Sequence, residues 1–177
     1  MNGIINPVKI VTNNFISGVN PDNIQPNSID LTVSNVYTIN GTLVLFANKK
    51  NRRQLPEYTP LKSFSYPVDI EFKNSVEMFK LEPGIRYQIE FNEILDLPSN
   101  VCGITLVRSS MAKSGCTGEN GLFDSGYKGA CGMMVQVQAE SYIEVGASIA
   151  QMIFFETEAS KMYNGFYQNT DSPMEWR

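Results

Sequence analysis

Apolar and polar residues alternate, or branched apolar residues cluster, in short runs along nearly the whole chain: 29–36, 42–46, 68–72, 76–79, 85–91, 101–107, 132–138, 142–145 and 149–155. A period of two over a short run marks a strand with one face buried. Chain reversals separate the runs, since Asn40-Gly41, Pro83-Gly84, Pro98-Ser99-Asn100 and Glu119-Asn120-Gly121 supply residues that preset a turn or tolerate positive φ. Helical signal is thin: one short helix over 109–113, ended by Ser114-Gly115, and a helical turn within 8–16. Many short strands at near-regular spacing predict an all-β sandwich or barrel of the jelly-roll kind rather than alternating βα units. The polar, basic stretch NKKNRRQLPEYTPL at 48–61 is expected to be a solvated surface loop, and the segment after Glu158 an aromatic-rich tail carrying Tyr163, Phe166, Tyr167 and Trp176.

Composition narrows the chemistry. At 177 residues and 42% hydrophobic content the chain is one domain with enough apolar surface for a single core. A formal charge of −4 argues against a nucleic-acid-gripping protein, whose affinity rests on a basic surface. The chain contains no histidine at all, which excludes Ser-His-Asp and Cys-His nucleophiles, His-ligated zinc and imidazole general bases. Cys102, Cys116 and Cys131 are odd in number and form no C-x-x-C pair, so neither a disulfide framework nor a zinc site is expected. No apolar run approaches a membrane span and no secretory leader opens the chain, so a cytoplasmic protein without membrane partners is expected.

Four constellations carry candidate chemistry. Arg108-Ser109-Ser110 lies where a strand runs into a short helix, placing a cation and two hydroxyls beside free N–H groups, with Lys113 one turn on. That set suits a polyphosphate. In Gly121-Leu122-Phe123-Asp124-Ser125-Gly126-Tyr127-Lys128-Gly129 three glycines suggest a tight hairpin whose backbone approaches a flat ligand, with Asp124 able to orient a water. Gln25-Pro26-Asn27-Ser28-Ile29-Asp30-Leu31 is a polar turn entering a strand, its carboxylate facing away from Ile29 and Leu31. Gln151 is a single polar residue inside the core-like run 149–153.

Taken in order, these segments resemble the dCTP deaminase/dUTPase superfamily. IQPNSIDL is similar to its first motif, RSSMAKSG to the second, GLFDSGYKG to the third and SIAQMIF to the fourth, while LEPGIRYQIEFNEILDLPSNVCGITLVRSS is similar to the strand pair that delivers the second. The resemblance implies a distorted jelly-roll or β-barrel, the dUTPase-like β-clip, with few short helices and assembled as a homotrimer. It implies one domain over 1–158 and a tail over 159–177 that closes over the active site. It places Arg108, Ser109, Ser110, Lys113, Gln151, Tyr167 and Gln168 on the phosphates and Leu122, Phe123 and Tyr127 at base and sugar. Asp30 it assigns to the metal indirectly, through water, and Asp124 to the attacking water.

The implied activity is that of a dUTP diphosphatase, hydrolysing dUTP to dUMP and pyrophosphate with Mg²⁺ held mainly by the triphosphate. The ligand class is therefore a deoxyuridine or deoxycytidine triphosphate. The deaminase branch activates water with a glutamate five residues beyond the last glycine of the third motif, and here that position is Met134. A thioether cannot take a proton from water, so dCTP deamination, alone or alongside dUTP hydrolysis, is the alternative that Met134 disfavours. A non-catalytic, nucleotide-binding or structural relative is the other alternative. Departures from the family pattern are Lys113 in place of an arginine, a shortened 115–121 segment, Phe166 where the tail carries a phosphate-binding lysine, and Thr170 where it carries a second glutamine.

Overall fold

The computed structural model describes residues 3–48, 54–69 and 74–174. Residues 70–72 of the run at 68–72, residues 49–53 of the basic stretch and Trp176 of the tail lie outside the described residues. The chain opens with helix α1 (Pro7–Thr12), where Pro7 presets the first turn and the Asn6 side chain accepts from Val8 N at 2.9 Å. The helix is shorter than the turn expected over 8–16, because Asn14 adopts φ 58° and the chain then enters strand β1 (Ile16–Ser17).

Strands β2 (Ile29–Asn40), β3 (Glu57–Pro60), β4 (Phe64–Asp69), β5 (Asn74–Leu81), β6 (Arg86–Asp96) and β7 (Val101–Val107) precede helix α2 (Ser109–Lys113). Then come β8 (Cys116–Glu119), β9 (Leu122–Phe123), β10 (Lys128–Val137), β11 (Ser141–Glu144) and β12 (Ser148–Glu156). The main sheet runs β8-β10-β6-β2-β12-β7-β9, with β1 on β6 and β3 on β2, and a smaller sheet runs β11-β5-β4. Every strand pairing is antiparallel. The main sheet curls on itself: a Cβ on Gly118 of β8 would stand 3.2 Å from Val107 Cβ at the end of β7. The fold is thus all-β, as the hydrophobic pattern predicts.

The core lines the inside of this curl, with Ile29, Leu31, Ile89, Phe91, Met152 and Phe154 each at most 2% exposed. β2 is a long central strand because Ile29, Val33, Val36 and Ile39 suit a pleated surface and because β12 and β6 cover it on both edges. Gly103 in β7 lets the Met152 sulfur and the Phe154 ring approach to 3.1 and 3.4 Å of where its Cβ would be.

Two sequence expectations fail here for the same reason, namely that backbone pairing and side-chain hydrophobicity part company at a sheet's edge. The run at 42–46 is not a strand. Among the described residues it makes one bridge, Val44 to Gln54, and finds no sheet neighbour past the end of β2; Leu43, Leu45 and Phe46 are 56%, 65% and 47% exposed. Conversely, part of the stretch expected as a loop at 48–61 is β3, a polar strand paired with Tyr37 to Asn40.

Candidate active site

Two separate clefts gather the chemistry. In the first, β2, β12 and β7 lie side by side so that Asp30 faces Gln151 and Gln151 faces Leu106, with Arg108 just past the end of β7. Asp30, Arg108, Ser109, Gln151 and Ser28 line one cavity of about 410 Å³. The Asp30 carboxylate is 4% exposed and lies 3.3 Å from Arg108 Nη2, and it accepts from Gln25 Nε2 at 3.3 Å. Arg108 Nη1 donates to Ser148 O at 2.9 Å. Burial pushes the Asp30 carboxyl above its usual range and the neighbouring guanidinium pulls it back.

The Asp30 side chain faces away from Ile29 and Leu31, as expected, and holds Arg108 inside this cleft. Gln151 accepts from Ser28 Oγ at 3.5 Å. Ser110 and Lys113 share α2 with Ser109 and are exposed, yet do not line this cleft, and α2 has no side-chain cap.

The second cleft, of about 360 Å³, is built on the third motif. Residues 121–129 do not form the expected hairpin, because β9 pairs with β7 while β10 pairs with β6 and β8. They form a turn instead: Tyr127 N donates to Asp124 O at 3.0 Å across Gly126, whose φ is +82°. Two of the three glycines make room for the tail, since a Cβ on Gly126 would stand 2.7 Å from Met162 Cε and one on Gly129 2.9 Å from Thr170 O, while Gly121 lines the cleft.

Leu122, Phe123, Asp124 and Tyr127 all line this second cleft, and Tyr163 and Tyr167 wall it from the tail. The Tyr127 ring meets Phe123 edge-on at 5.2 Å and Tyr163 at 5.4 Å, and its hydroxyl donates to Ala130 O at 2.5 Å. Burial holds that phenol far above its ordinary pKa, so the ring presents an apolar face and a committed hydroxyl. Asp124 is exposed at the rim and also borders an adjoining opening with Cys102 and Lys161. Its negative charge adds to burial in raising the Cys102 thiol pKa.

The tail is bound to its own third motif. Tyr163 N donates to Ser125 O at 2.8 Å, Asn169 N to Lys128 O at 2.7 Å and Ala130 N to Thr170 O at 3.1 Å. The Gln168 amide donates to Gly126 O at 2.8 Å and accepts from Lys128 N at 3.1 Å. Gln168 is thus engaged with backbone. Among the described residues no three acidic or cysteine side chains converge on a metal position.

Sequence reasoning missed two residues. Glu93 is fully buried and accepts from Thr32 N at 3.0 Å and Thr32 Oγ1 at 2.8 Å. Its place in the alternation Phe91, Glu93, Leu95 was the available signal, since all three fall on the core face. Gln88 lines the second cleft, and nothing in its local sequence marks it.

The family model described as dCTP deaminase-like matches residues 9–157. The probable deoxyuridine 5'-triphosphate nucleotidohydrolase of Methanosarcina acetivorans is 34% identical over 154 residues, covering 84% of this chain and 82% of that protein. The deoxyuridine 5'-triphosphate nucleotidohydrolase of Methanocaldococcus jannaschii is 32% identical over 157 residues, covering 88% and 93%. Among solved structures, the 2'-deoxycytidine 5'-triphosphate deaminase from Agrobacterium tumefaciens superposes with a TM-score of 0.63 at 18% identity, covering 89% of this chain, which spans about half (49%) of that one. That likeness speaks for the fold. Because the family match runs from α1 to the residue after β12, and relatives above 30% identity align over most of their own length, the chain belongs to the dCTP deaminase-like family.

Proposed function

We propose that this chain is a dUTP nucleotidohydrolase, converting dUTP and water to dUMP and pyrophosphate. The observation that carries this reading is the pairing of Asp124 at the rim of the second cleft with Met134 in its wall. A carboxylate stands where it can orient a water and accept its proton, and a thioether stands where a deaminase needs a base. The archaeal relatives named as deoxyuridine triphosphate nucleotidohydrolases support the same substrate.

In the proposed mechanism base and sugar enter the second cleft, with the deoxyribose against the Tyr127 ring and Leu122 and Phe123 beside it. Asp124 orients water toward the α-phosphorus; the new P–O bond forms as the bond to the bridging α–β oxygen breaks, and pyrophosphate leaves. Arg108, Ser109 and Gln151 bind phosphate oxygens, with Ser110, Lys113, Tyr167 and Gln168 as further phosphate contacts once the tail (159–177) closes over the domain formed by 1–158. Among the described residues no carboxylates form a cage; a Mg²⁺ would be carried mainly by the triphosphate, with the exposed Asp124 available to its waters. Such an ion would neutralise charge that develops on the phosphates. Positioning, rather than a strong base, supplies most of the rate.

A homotrimer is part of this proposal. Gly103 pairs with Phe123, so Asp124 sits beside Cys102, whereas Arg108 lies six residues further along the same strand direction. At about 3.3 Å per residue that separates them by about 20 Å, which a triphosphate anchored at Asp124 does not cover. In this proposal Arg108 of one copy serves the Asp124 of another. We place the protein in the cytoplasm, of the cell or, for a virus-encoded copy, of its host; its three free cysteines fit a reducing setting, and no described helix is long and apolar enough to cross a membrane.

The test is to incubate the protein with Mg²⁺ and dUTP, dCTP, dTTP or UTP and to follow pyrophosphate and ammonia separately. Pyrophosphate from dUTP in preference to the others supports the reading. Ammonia from dCTP overturns the Met134 step, and silence on all four identifies a non-catalytic relative.

A further inference from the structure

One wall of the second cleft is a cross-strand row. Met134 on β10 pairs directly with Gln88 on β6 and with Glu119 on β8. Directly opposed residues in an antiparallel sheet project from the same face with Cβ atoms about 4.5–5.5 Å apart. All three line the same cavity as Asp124 and Tyr127, and Tyr127 immediately precedes β10 whereas Met134 lies further along it. A nucleotide with its phosphates at Asp124 and its sugar on Tyr127 therefore points its base at this row.

Of the three, only Gln88 offers a neutral donor and acceptor side by side. Met134 has neither to speak of. Glu119 is drawn to Arg86, its Oε1 lying 3.0 Å from Arg86 Nη1. The Gln88 amide is held in one orientation, because Nε2 donates to Ile89 O at 3.1 Å. It lies over Gly132, where an added Cβ would stand 2.7 Å from Gln88 Nε2, 2.4 Å from Ile89 O and 3.0 Å from Pro173 Cγ. The missing side chain at 132 is what lets the amide lie flat, and the tail's proline closes the space above it. Among the described residues, Gln88 Oε1 accepts no hydrogen bond.

The geometry points to Gln88 as the residue that reads the pyrimidine edge and selects uracil over cytosine, an assignment that rests on the dUTP reading above. Uracil presents an acceptor at O4 and a donor at N3, which complement one amide N–H and Oε1. Cytosine presents the reverse order, a donor at N4 and an acceptor at N3. Pairing with it requires the amide to turn round, which breaks the bond from Nε2 to Ile89 O and sets Oε1 against that carbonyl instead.

Two variants test this, each checked for folding by its thermal melt. Steady-state pyrophosphate release from dUTP and from dCTP is measured for wild type, Gln88→Leu and Gln88→Glu. Wild type prefers dUTP. Gln88→Leu lowers kcat/KM for dUTP by about tenfold to a hundredfold, mostly through KM, and lowers that for dCTP much less, so the preference collapses. Gln88→Glu, similar in shape but without the amide donor, also loses preference. Binding of a non-hydrolysable dUTP analogue weakens in step. If wild type prefers dUTP and both folded variants keep that preference, the assignment to Gln88 is wrong while the substrate reading stands. If wild type does not turn over dUTP, the substrate reading itself falls.

Discussion

Arg108 and Asp30 hold each other at the foot of the first cleft: Nη2 lies 3.3 Å from Oδ2 while Nη1 reaches Ser148 O at 2.9 Å. The guanidinium fork ties the end of β7 to both β2 and β12. A lysine has one point of charge and cannot make both contacts. Arg108→Lys is expected to lower kcat/KM for dUTP by about tenfold or more, by misplacing the cation rather than removing it. Arg108→Ala leaves a covered carboxylate without its cation and costs about 1–3 kcal/mol in urea unfolding, less than a fully enclosed pair because Arg108 is 36% exposed. Asp30→Asn in the Arg108→Ala background recovers part of that loss, and a double-mutant cycle measures the coupling. Additive losses would show that the pair does not act as a unit.

The separation of about 20 Å between Arg108 and Asp124 along the strand direction makes a sharper prediction. Asp124→Asn alone lowers kcat for dUTP by about a hundredfold or more while retaining affinity for a non-hydrolysable analogue. Arg108→Ala alone is also nearly inactive. Mixing the two variants after denaturation and refolding together restores activity if each site draws Arg108 and Asp124 from different copies. Mixed assemblies then contain some sites with both groups intact. No recovery, in mixtures shown by mass to be heteromeric, would place both groups in one copy's site.

How much of this was legible in the chain differs by element. The boundaries of β7 and α2 follow from sequence because a branched apolar run meets a polar Arg-Ser-Ser and then Gly115, whose φ is +81°. The four motifs were visible for the same local reason, since each is a turn or strand end with its own chemistry. The distribution of those motifs over two clefts was not. It depends on β9 leaving β10 to pair with β7, a choice made by long-range packing. Tail docking was hidden likewise: Gly126 and Gly129 signal close approach but not of what, and only the fold shows Met162 and Thr170 in those spaces. The apolar run 42–46 misled because hydrophobicity without a neighbouring strand makes no ladder.

Glu93 predicts a pH dependence of stability. Burial raises its carboxyl above the ordinary value of 4.5, against the opposing hydrogen bonds from Thr32. With the folded pKa above the unfolded one, the native state holds its proton over the window just above pH 4.5. This contribution to stability is therefore fully present below the unfolded pKa and is lost as pH rises through the folded value. Asp30 is shifted in the same direction and adds its own slope. Comparing unfolding free energies of wild type and Glu93→Gln from pH 4 to pH 8 isolates Glu93. The variant, which has no charge to bury, is expected to gain relative to wild type as pH rises. A pH-independent difference would mean that Glu93 ionises as easily in the fold as outside it.

The tail's hold on the third motif is set by one backbone position. Gly129 has φ +142°, outside the usual range of residues with a side chain, and a Cβ there would stand 2.9 Å from Thr170 O and 3.2 Å from Thr170 N. Both are backbone atoms of the tail, so the neighbour that must give way is the tail and not the barrel. The bond from Ala130 N to Thr170 O, at 3.1 Å, sits beside the intrusion and is the first to go. Gly129→Ala is expected to cost about 1 kcal/mol in backbone strain and to loosen residues 163–174 while leaving the strands paired. Limited trypsin digestion reads the change: cleavage after Lys161 accelerates in the variant, and the non-hydrolysable dUTP analogue slows it again by refilling the cleft that Tyr163 and Tyr167 wall. KM for dUTP rises several-fold with kcat less affected, because the wall is weakened and Asp124 is untouched. Unchanged cleavage would show that the tail tolerates the methyl group and that its grip lies instead in the Gln168 amide, bonded to Gly126 O and Lys128 N.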